Sequence, residues 1–262
     1  FKQNGKVMKL LTRLAIENLF HPFQTFILGQ KNLAPKIAAN FGIDLVFYGE
    51  NEAEYGNPIA DNSKSLRDKS YFTMEHLDDM LLAGIQVNEM IENFDVDLVD
   101  LMAFLPLPGK EYEKTNMQIH YLGYYLKWVP QEAYYYAVEH TNFKARPLRT
   151  QGTYSKYNSI DDKIDDLHYY TTYIKFGIGR ATYDASQEIR NKHITREEGQ
   201  LLVKRFDGEF PDKYFNETME YIGMKPERFH ELGEEFRSPH LWKNVNGEWE
   251  LRHTVNKDGT DD

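Results

Sequence analysis

Cysteine is absent from the 262 residues, which excludes a disulfide framework and any thiolate zinc site and is compatible with a reducing compartment. No apolar run approaches the roughly 20 residues that a membrane helix needs, and no charged-then-apolar signal opens the chain. The expectation is a cytoplasmic protein without membrane insertion. Basic side chains are in deficit, 31 Lys and Arg against 41 Asp and Glu, for a net charge of −10. That balance argues against nucleic acid as a bulk partner, although a local basic pocket is compatible with it. Neither a GxSxG elbow nor a Walker-type phosphate loop occurs, so no nucleophile or nucleotide loop is evident.

What is present is a globular composition, 41% hydrophobic and 14% aromatic, long enough for one large or two small domains. The first residue is Phe1 and the amphipathic pattern of "KVMKLLTRLAIENLF" starts almost at once. The expectation is a C-terminal portion of something longer. That opening helix should run to about Phe20 and stop at Pro22. "TFILGQKNLAPKIAANFG" reads as a second helix with Asn40 and Gly42 at its C-terminal cap. "IDLVFYGEN" reads as a short, nearly continuous apolar strand of the kind covered on both faces of a parallel sheet, and helix, helix, buried strand is an α/β layout.

Further along, "TMEHLDDMLLAGIQVNEMIENF" is expected to be helical with a break at Gly84, "MQIHYLGYYLKW" has strand composition, and "PQEAYYYAVEHTNF" is a helix with Pro130 in its first turn. Ser159 is expected to cap a helix whose first turn carries Asp161 and Asp162 and which stops at Gly177. "ATYDASQEIRN" is a further helix, "TREEGQLLVKRF" opens with a Thr195/Glu198 capping box, and "KYFNETMEYIG" and "PERFHELGEEF" are helical. The tail from about Asn244 is polar and is expected to fray at "NKDGTDD".

Three stretches carry candidate chemistry. Gly49, Glu50, Asn51 and Glu54 follow the strand "DLVFY", at the carboxyl end where open α/β sheets bind ligands. There a glycine admits a ligand to the backbone, and Glu50 with Asn51 suits ribose hydroxyls, an amino group or magnesium; the alternative is a solvated loop. In "IKFGIGRATYDASQEIRNKHITREEG", Lys175, Gly177, Gly179, Arg180, Arg190 and Arg196 suit an anion cradle, the alternative being an ordinary helix cap with paired or solvated cations. In "SIDDKIDDLHYY", Asp161 with Asp165 and Asp162 with Asp166 stand four apart on an expected helix face. That face suits magnesium or simply water, and Asp162 also suits a basic neighbour. His21, His120 and His168 have no metal-ligand spacing and read as structural.

"YGENEAEYGNP" together with "QGTYSKYNSIDDKIDDLHYYTTYIKFGIGRATYDASQEIRNKHITREEG" resembles the N-acetyl sugar amidotransferase family of bacterial surface-polysaccharide and flagellin-sugar biosynthesis, within the PP-loop ATP pyrophosphatase superfamily. The resemblance implies a PP-loop (adenine nucleotide alpha hydrolase-like) parallel-sheet domain, of which residues 1–150 would be the C-terminal part, and a mainly helical region over 151–262. It implies ATP and Mg2+ as cofactors, a nucleotide-activated N-acetyl sugar as substrate, and glutaminase and cyclase-like subunits as ammonia-supplying partners. Glu50, Asn51 and Glu54 would act at the reacting centre. Tyr55, Tyr154 and Asp162 would meet substrate, while Gly49, Lys175, Gly177, Gly179, Arg180, Arg190 and Arg196 would meet nucleotide or phosphate. The family's SGGKDS-type loop and its cysteine-bearing segment would lie before Phe1. Alternatives are another PP-loop enzyme, tRNA-modifying or asparagine-forming, and a noncatalytic sugar-nucleotide-binding or assembly module.

Overall fold

A computed structural model describes residues 3–50 and 64–255. Its contacts divide the chain into two compact units, residues 1–19 with 23–128, and residues 20–22 with 129–262. The boundary therefore falls before Val129 and not near residue 150. The reason is chemical: Arg146 and Arg149 lie in the second unit and are bonded to its Asp166 and Glu209.

In the first unit, α1 (Gly5–Leu19) and α2 (Gln24–Phe41) form as their periodicity predicts. Pro35 is tolerated inside α2, and Gly42 takes the left-handed cap position with φ 64°. Leu11, Leu14 and Ala15 of α1 are buried in a cluster with Leu82, Val87, Met90, Leu101 and Phe104. Asn32 of α2 donates to the Phe104 carbonyl at 2.7 Å, which pairs a polar group inside this core.

Strand β1 (Leu45–Tyr48) forms, but not as the doubly covered strand expected. Val46 and Tyr48 pack against a cluster of Ala38, Phe72 and Ile119, whereas Leu45 and Phe47 are about half exposed, at 51% and 48%. A run of apolar residues does not distinguish one covered face from two; layers packed above and below decide that. The partner of β1 is β6 (Gln118–Tyr121), parallel and in register from Leu45↔Gln118 to Tyr48↔Tyr121.

The expected helix over residues 73–94 is corrected more thoroughly. Short strand β2 (Thr73–Met74), hairpin β3 (Leu81–Leu82) and β4 (Ile85–Gln86), and helix α3 (Val87–Asn93) replace it. Ala83 and Gly84 both take positive φ, 53° and 80°, the requirement of the tight turn whose twist matches a hairpin. Here the turn decides against the helix. Helix α4 (Leu98–Leu101), strand β5 (Leu107–Pro108), which pairs in parallel with β2, and helix α5 (Gly109–Tyr112) complete the unit. The first unit is thus mixed α/β with small parallel sheets.

The second unit is mainly helical: α6 (Pro130–His140), α7 (Asp165–Phe176), α8 (Arg180–Arg190), α9 (Arg196–Phe206), α10 (Asp212–Ile222) and α11 (Pro226–Glu235). Phe20 is fully buried here, with ring centroids 5.1 Å from Phe229 and 5.4 Å from Phe236. Where Gly199 faces Ile189, a methyl group would lie 2.7 Å from the Ile189 Cδ1, so α8 and α9 approach closely because α9 carries no side chain there. Within the polar tail, β7 (Trp242–Val245) and β8 (Glu248–Leu251) form an antiparallel hairpin around Asn246 and Gly247; the stretch expected to fray, residues 256–262, lies outside the described residues. Among the described residues no helix is long and apolar enough to cross a membrane.

The capping box at α9 is complete, with Thr195 accepting from the Glu198 amide at 3.2 Å and Glu198 accepting from the Thr195 amide at 2.8 Å. Thr195→Ala is therefore expected to cost about 1 kcal/mol. Urea unfolding should show a lowered midpoint, and amide exchange should quicken first at the start of α9; an unaltered α9 would refute the cap's contribution.

Candidate functional site

The segment from Arg146 to Ser159 is rich in Tyr, Ser and Thr and has almost no regular structure, so its backbone groups pair through isolated bonds, such as the Arg146 amide to the Lys156 carbonyl at 2.8 Å and the Thr150 amide to the Ser155 carbonyl at 3.0 Å, and through side chains. Arg149 grips Glu209 through a two-pronged pair, Nη1 to Oε2 and Nη2 to Oε1, both at 2.6 Å. The same carboxylate accepts from the Gly152 amide at 2.8 Å, while the guanidinium lies 4.6 Å over the Phe206 ring. Burial alone would raise the Glu209 carboxyl; the bonds from Arg149 and Gly152 outweigh burial and hold it below its ordinary range.

At the start of α8 the expected anion cradle exists in form, and the anion is the chain's own. The Asp207 carboxylate accepts from the Gly179 amide at 2.9 Å, the Thr182 amide at 3.2 Å and the Thr182 hydroxyl. A carboxylate at a helix N-terminus meets unpaired amides and the positive end of the helix dipole. Gly179 is needed there because a methyl group would lie 2.6 Å from the Asp207 Oδ1. Burial still raises the Asp207 carboxyl, the hydrogen bonds offsetting only part of that effect. Gly177 takes the left-handed position that ends α7, with φ 70°.

Arg180 is not directed at an open cradle either. Its Nε pairs with Asp184 one turn on at 2.8 Å, and its guanidinium lies 5.2 Å from the Tyr169 ring centroid. Asp184 also accepts from the Thr153 hydroxyl and from Asn158 at 3.0 Å. Beside this group, Asp165 accepts from the hydroxyls of Ser159 and Tyr169, and burial pushes its carboxyl up. Thr153, Asn158, Ser159, Asp165, Tyr169, Arg180 and Asp184 thus form a buried polar centre whose partners rigidify one another.

Ser159 does not cap α7, as expected from sequence. The helix starts at Asp165, Ser159 has φ 55°, and Asp161 and Asp162 precede the helix. Four-residue columns of Asp161 with Asp165 and Asp162 with Asp166 therefore do not exist. Asp162 instead turns its carboxylate back to the Ile164 amide at 2.6 Å, which breaks the helical pattern locally. Its carbonyl, not its carboxylate, receives Arg146 at 3.0 Å. Burial raises the Asp162 carboxyl, while that bond from Ile164 works the other way.

The remaining expected residues are dispersed. Lys175 is half-buried, its ammonium 5.4 Å from the Phe176 ring and 5.8 Å from that of Phe236, and burial lowers its pKa. Tyr154 has a buried hydroxyl facing Glu188. Burial, reinforced by Asp184, raises the Glu188 carboxyl. Arg190 and Arg196 are exposed at the end of α8 and the start of α9. Gly49 and Glu50 are exposed just beyond β1 in the first unit; Asn51, Glu54 and Tyr55 lie outside the described residues. Of the expected residues the structure brings Arg180 into the polar centre, places Gly179 against Asp207 and Gly177 at the end of α7, and leaves Lys175, Asp162, Arg190 and Arg196 away from it.

Sequence reasoning missed Asp207, Glu209, Arg149 and Asp184. Only Asp184 left a local signal, its position one turn after Arg180. Among the described residues no group of His, Asp or Glu side chains converges as a metal site. ATP phosphates do not fit the start of α8, because Asp207 already occupies its amides and Asp184 its arginine. No curated protein matches the chain. Residues 151–256 match the model of the C-terminal domain of WbpG-like LPS biosynthesis proteins, so the part of the chain that supplies most of the polar centre is similar to a domain of lipopolysaccharide biosynthesis.

Proposed function

We propose that this chain is part of a cytoplasmic, ATP-dependent amidotransferase that converts the acetamido group of an activated N-acetyl sugar to an acetamidino group for lipopolysaccharide or flagellin glycans. The observation that carries this reading is the match of residues 151–256 to the C-terminal domain of LPS biosynthesis proteins. In the net reaction the acetamido oxygen leaves with AMP, the nitrogen of ammonia takes its place, and pyrophosphate is released. A glutaminase partner supplies the ammonia. Residues of the polar centre hold the domain's shape, and the exposed Arg190 and Arg196 meet phosphate.

The test uses the longest natural chain that contains these residues, with ATP, 15N-labelled ammonium and UDP-linked N-acetyl sugars. The expected result is 15N in the sugar with AMP and pyrophosphate formed in equal amounts; AMP without labelled sugar, or no AMP at all, refutes the amidotransferase. Arg190→Ala combined with Arg196→Ala should lower turnover at least about tenfold, the loss of a charge-assisted contact, with the fold unchanged. A second reading, a noncatalytic sugar-nucleotide-binding module, is favoured by one observation, the occupation of the α8 amides by Asp207. It predicts sugar binding with no release of AMP.

A further inference from the structure

Within the second unit, a cleft of about 360 Å³ opens between the chain at 146–148, the turn at 160–163 and the start of α10. Its size falls in the range of small-molecule sites, roughly 300–1,000 Å³. One wall is apolar: Ile160 is 40% exposed and Leu148 68% exposed, and Tyr214 lines the cleft with them. The other walls hold both signs of charge. Asp161 and Asp162 contribute carboxylates, while Arg146, Lys163 and Lys213 contribute cationic donors, the Lys163 ammonium being paired with Glu217 at 2.6 Å and 5.4 Å from the Tyr214 ring centroid.

One of these groups, Arg146, is fixed in place. Arg146 is only 12% exposed and is held by Asp166 at 3.3 Å and by the Asp162 carbonyl at 3.0 Å. The Lys213 amide is anchored on Gln151 at 3.0 Å, and its ammonium sits 4.7 Å from the Tyr214 ring centroid. Asp162 spends one carboxylate oxygen on the Ile164 amide, which orients the other.

We infer that this cleft is a sugar subsite, taking a pyranose ring against Tyr214 with its hydroxyls between Asp161, Asp162 and Lys213. A phosphate or other polyanion needs unspent cationic donors; Arg146 and Lys163 are already paired with Asp166 and Glu217, and two carboxylates in the wall oppose it. A hydroxyl both donates and accepts, so a wall of paired carboxylates and ammonium groups matches it. The C–H face of a pyranose is apolar and suits an aromatic ring beside aliphatic side chains. The choice of sugar rests on the function proposed above; the cleft's preference for a polyhydroxyl ring over an anion does not.

The experiment is saturation-transfer NMR with titration on the full chain. The probes are N-acetylglucosamine, N-acetylmannosamine, their uridine diphosphate conjugates and uridine diphosphate alone. Saturation of the pyranose ring protons is expected, with about tenfold weaker binding in Tyr214→Ala and in Asp161→Asn, both at positions reached by solvent, and no change in Glu231→Gln on α11. Circular dichroism confirms that each variant is folded. The inference is overturned if no probe's sugar protons saturate, if uridine diphosphate binds as tightly as its conjugates, or if affinity is unchanged in both cleft variants. Sugar binding through Tyr214 without amidine formation leaves the subsite standing and removes the reaction; amidine formation with unchanged binding in the cleft variants does the reverse.

Discussion

Gly208→Ala is expected to destabilise the second unit by about 3 kcal/mol, summing a left-handed backbone cost of roughly 1–2 and an overpacking cost of similar size. Gly208 has φ 78°, and a methyl group there would overlap the Tyr173 ring, 2.8 Å from its Cζ. That ring is backed edge-on by Trp242 at 5.3 Å, so it has little room to withdraw. The consequence extends beyond one clash, since Gly208 sits between Asp207, which fills the start of α8, and Glu209, which holds Arg149. Moving this turn disturbs both carboxylates together.

Gly247→Ala serves as the reference. Gly247 also has positive φ, 92°, but nothing lies within 4 Å of the added methyl, so only the backbone cost of about 1–2 kcal/mol applies. Urea unfolding followed by fluorescence of the buried Trp242 reads both variants. Equal losses in the two would mean that the Tyr173 contact contributes nothing.

Acidification is expected to destabilise the same unit through His21 and His168. Their rings stack with centroids 4.8 Å apart and nearly parallel. His21 is pushed down to about 3 by burial, His168 and Lys175; His168 is pushed down to about 4 by burial, Arg180 and Lys175. Folded values lie below that of an ordinary histidine, so as pH falls the unfolded chain takes up protons first. The contribution to stability is intact above about pH 6.5 and is lost progressively from there towards pH 4 and below, at about 1.4 kcal/mol per pH unit for each histidine.

Buried carboxyls act in the opposite direction. Burial raises Asp165 and Asp207, so the folded chain holds their protons more tightly and gains stability as pH drops. The clean observable is therefore a difference between proteins. Between pH 6 and 4 the stability of His21→Gln should fall less steeply than that of the wild type by about one proton's worth. Parallel pH profiles for the two proteins would show that the stacked pair is not the source of acid sensitivity.

Elements with local punctuation were legible in the sequence. Gly42 and Gly177 end α2 and α7, Thr195 and Glu198 open α9, and Pro130 and Pro226 open α6 and α11. Punctuation also existed where it was passed over: Asn246-Gly247 is a strong hairpin signal, hidden by the polarity of the tail. At residues 81–86 the apolar residues fit a helical period, yet Ala83 and Gly84 adopt positive φ and fold the segment into a hairpin. Ser159 looked like a helix cap because its neighbours are acidic, but Asp162 binds its own backbone two residues on and delays the helix to Asp165.

The candidate site was legible as composition and illegible as pairing. Glycines flanking an arginine do mark an anion position at the start of α8, and that much follows from free amides and a helix dipole. Which anion fills it depends on Asp207, 28 residues from Gly179, and no local pattern reports a contact of that range. Arg149 and Glu209 are 60 residues apart and equally silent. By itself the sequence determined the excluded chemistries, the helices with caps, the direction of the charge balance and the stretches where polar chemistry concentrates, because these depend on residue identity and on neighbours within a turn or two. Only the tertiary structure decided that Asp207 takes the cradle, that Arg180 turns to Asp184, and that Asp162 and Lys213 share a cleft with Tyr214. Those outcomes are set by which surfaces pack against one another, and packing selects partners that distance along the chain does not.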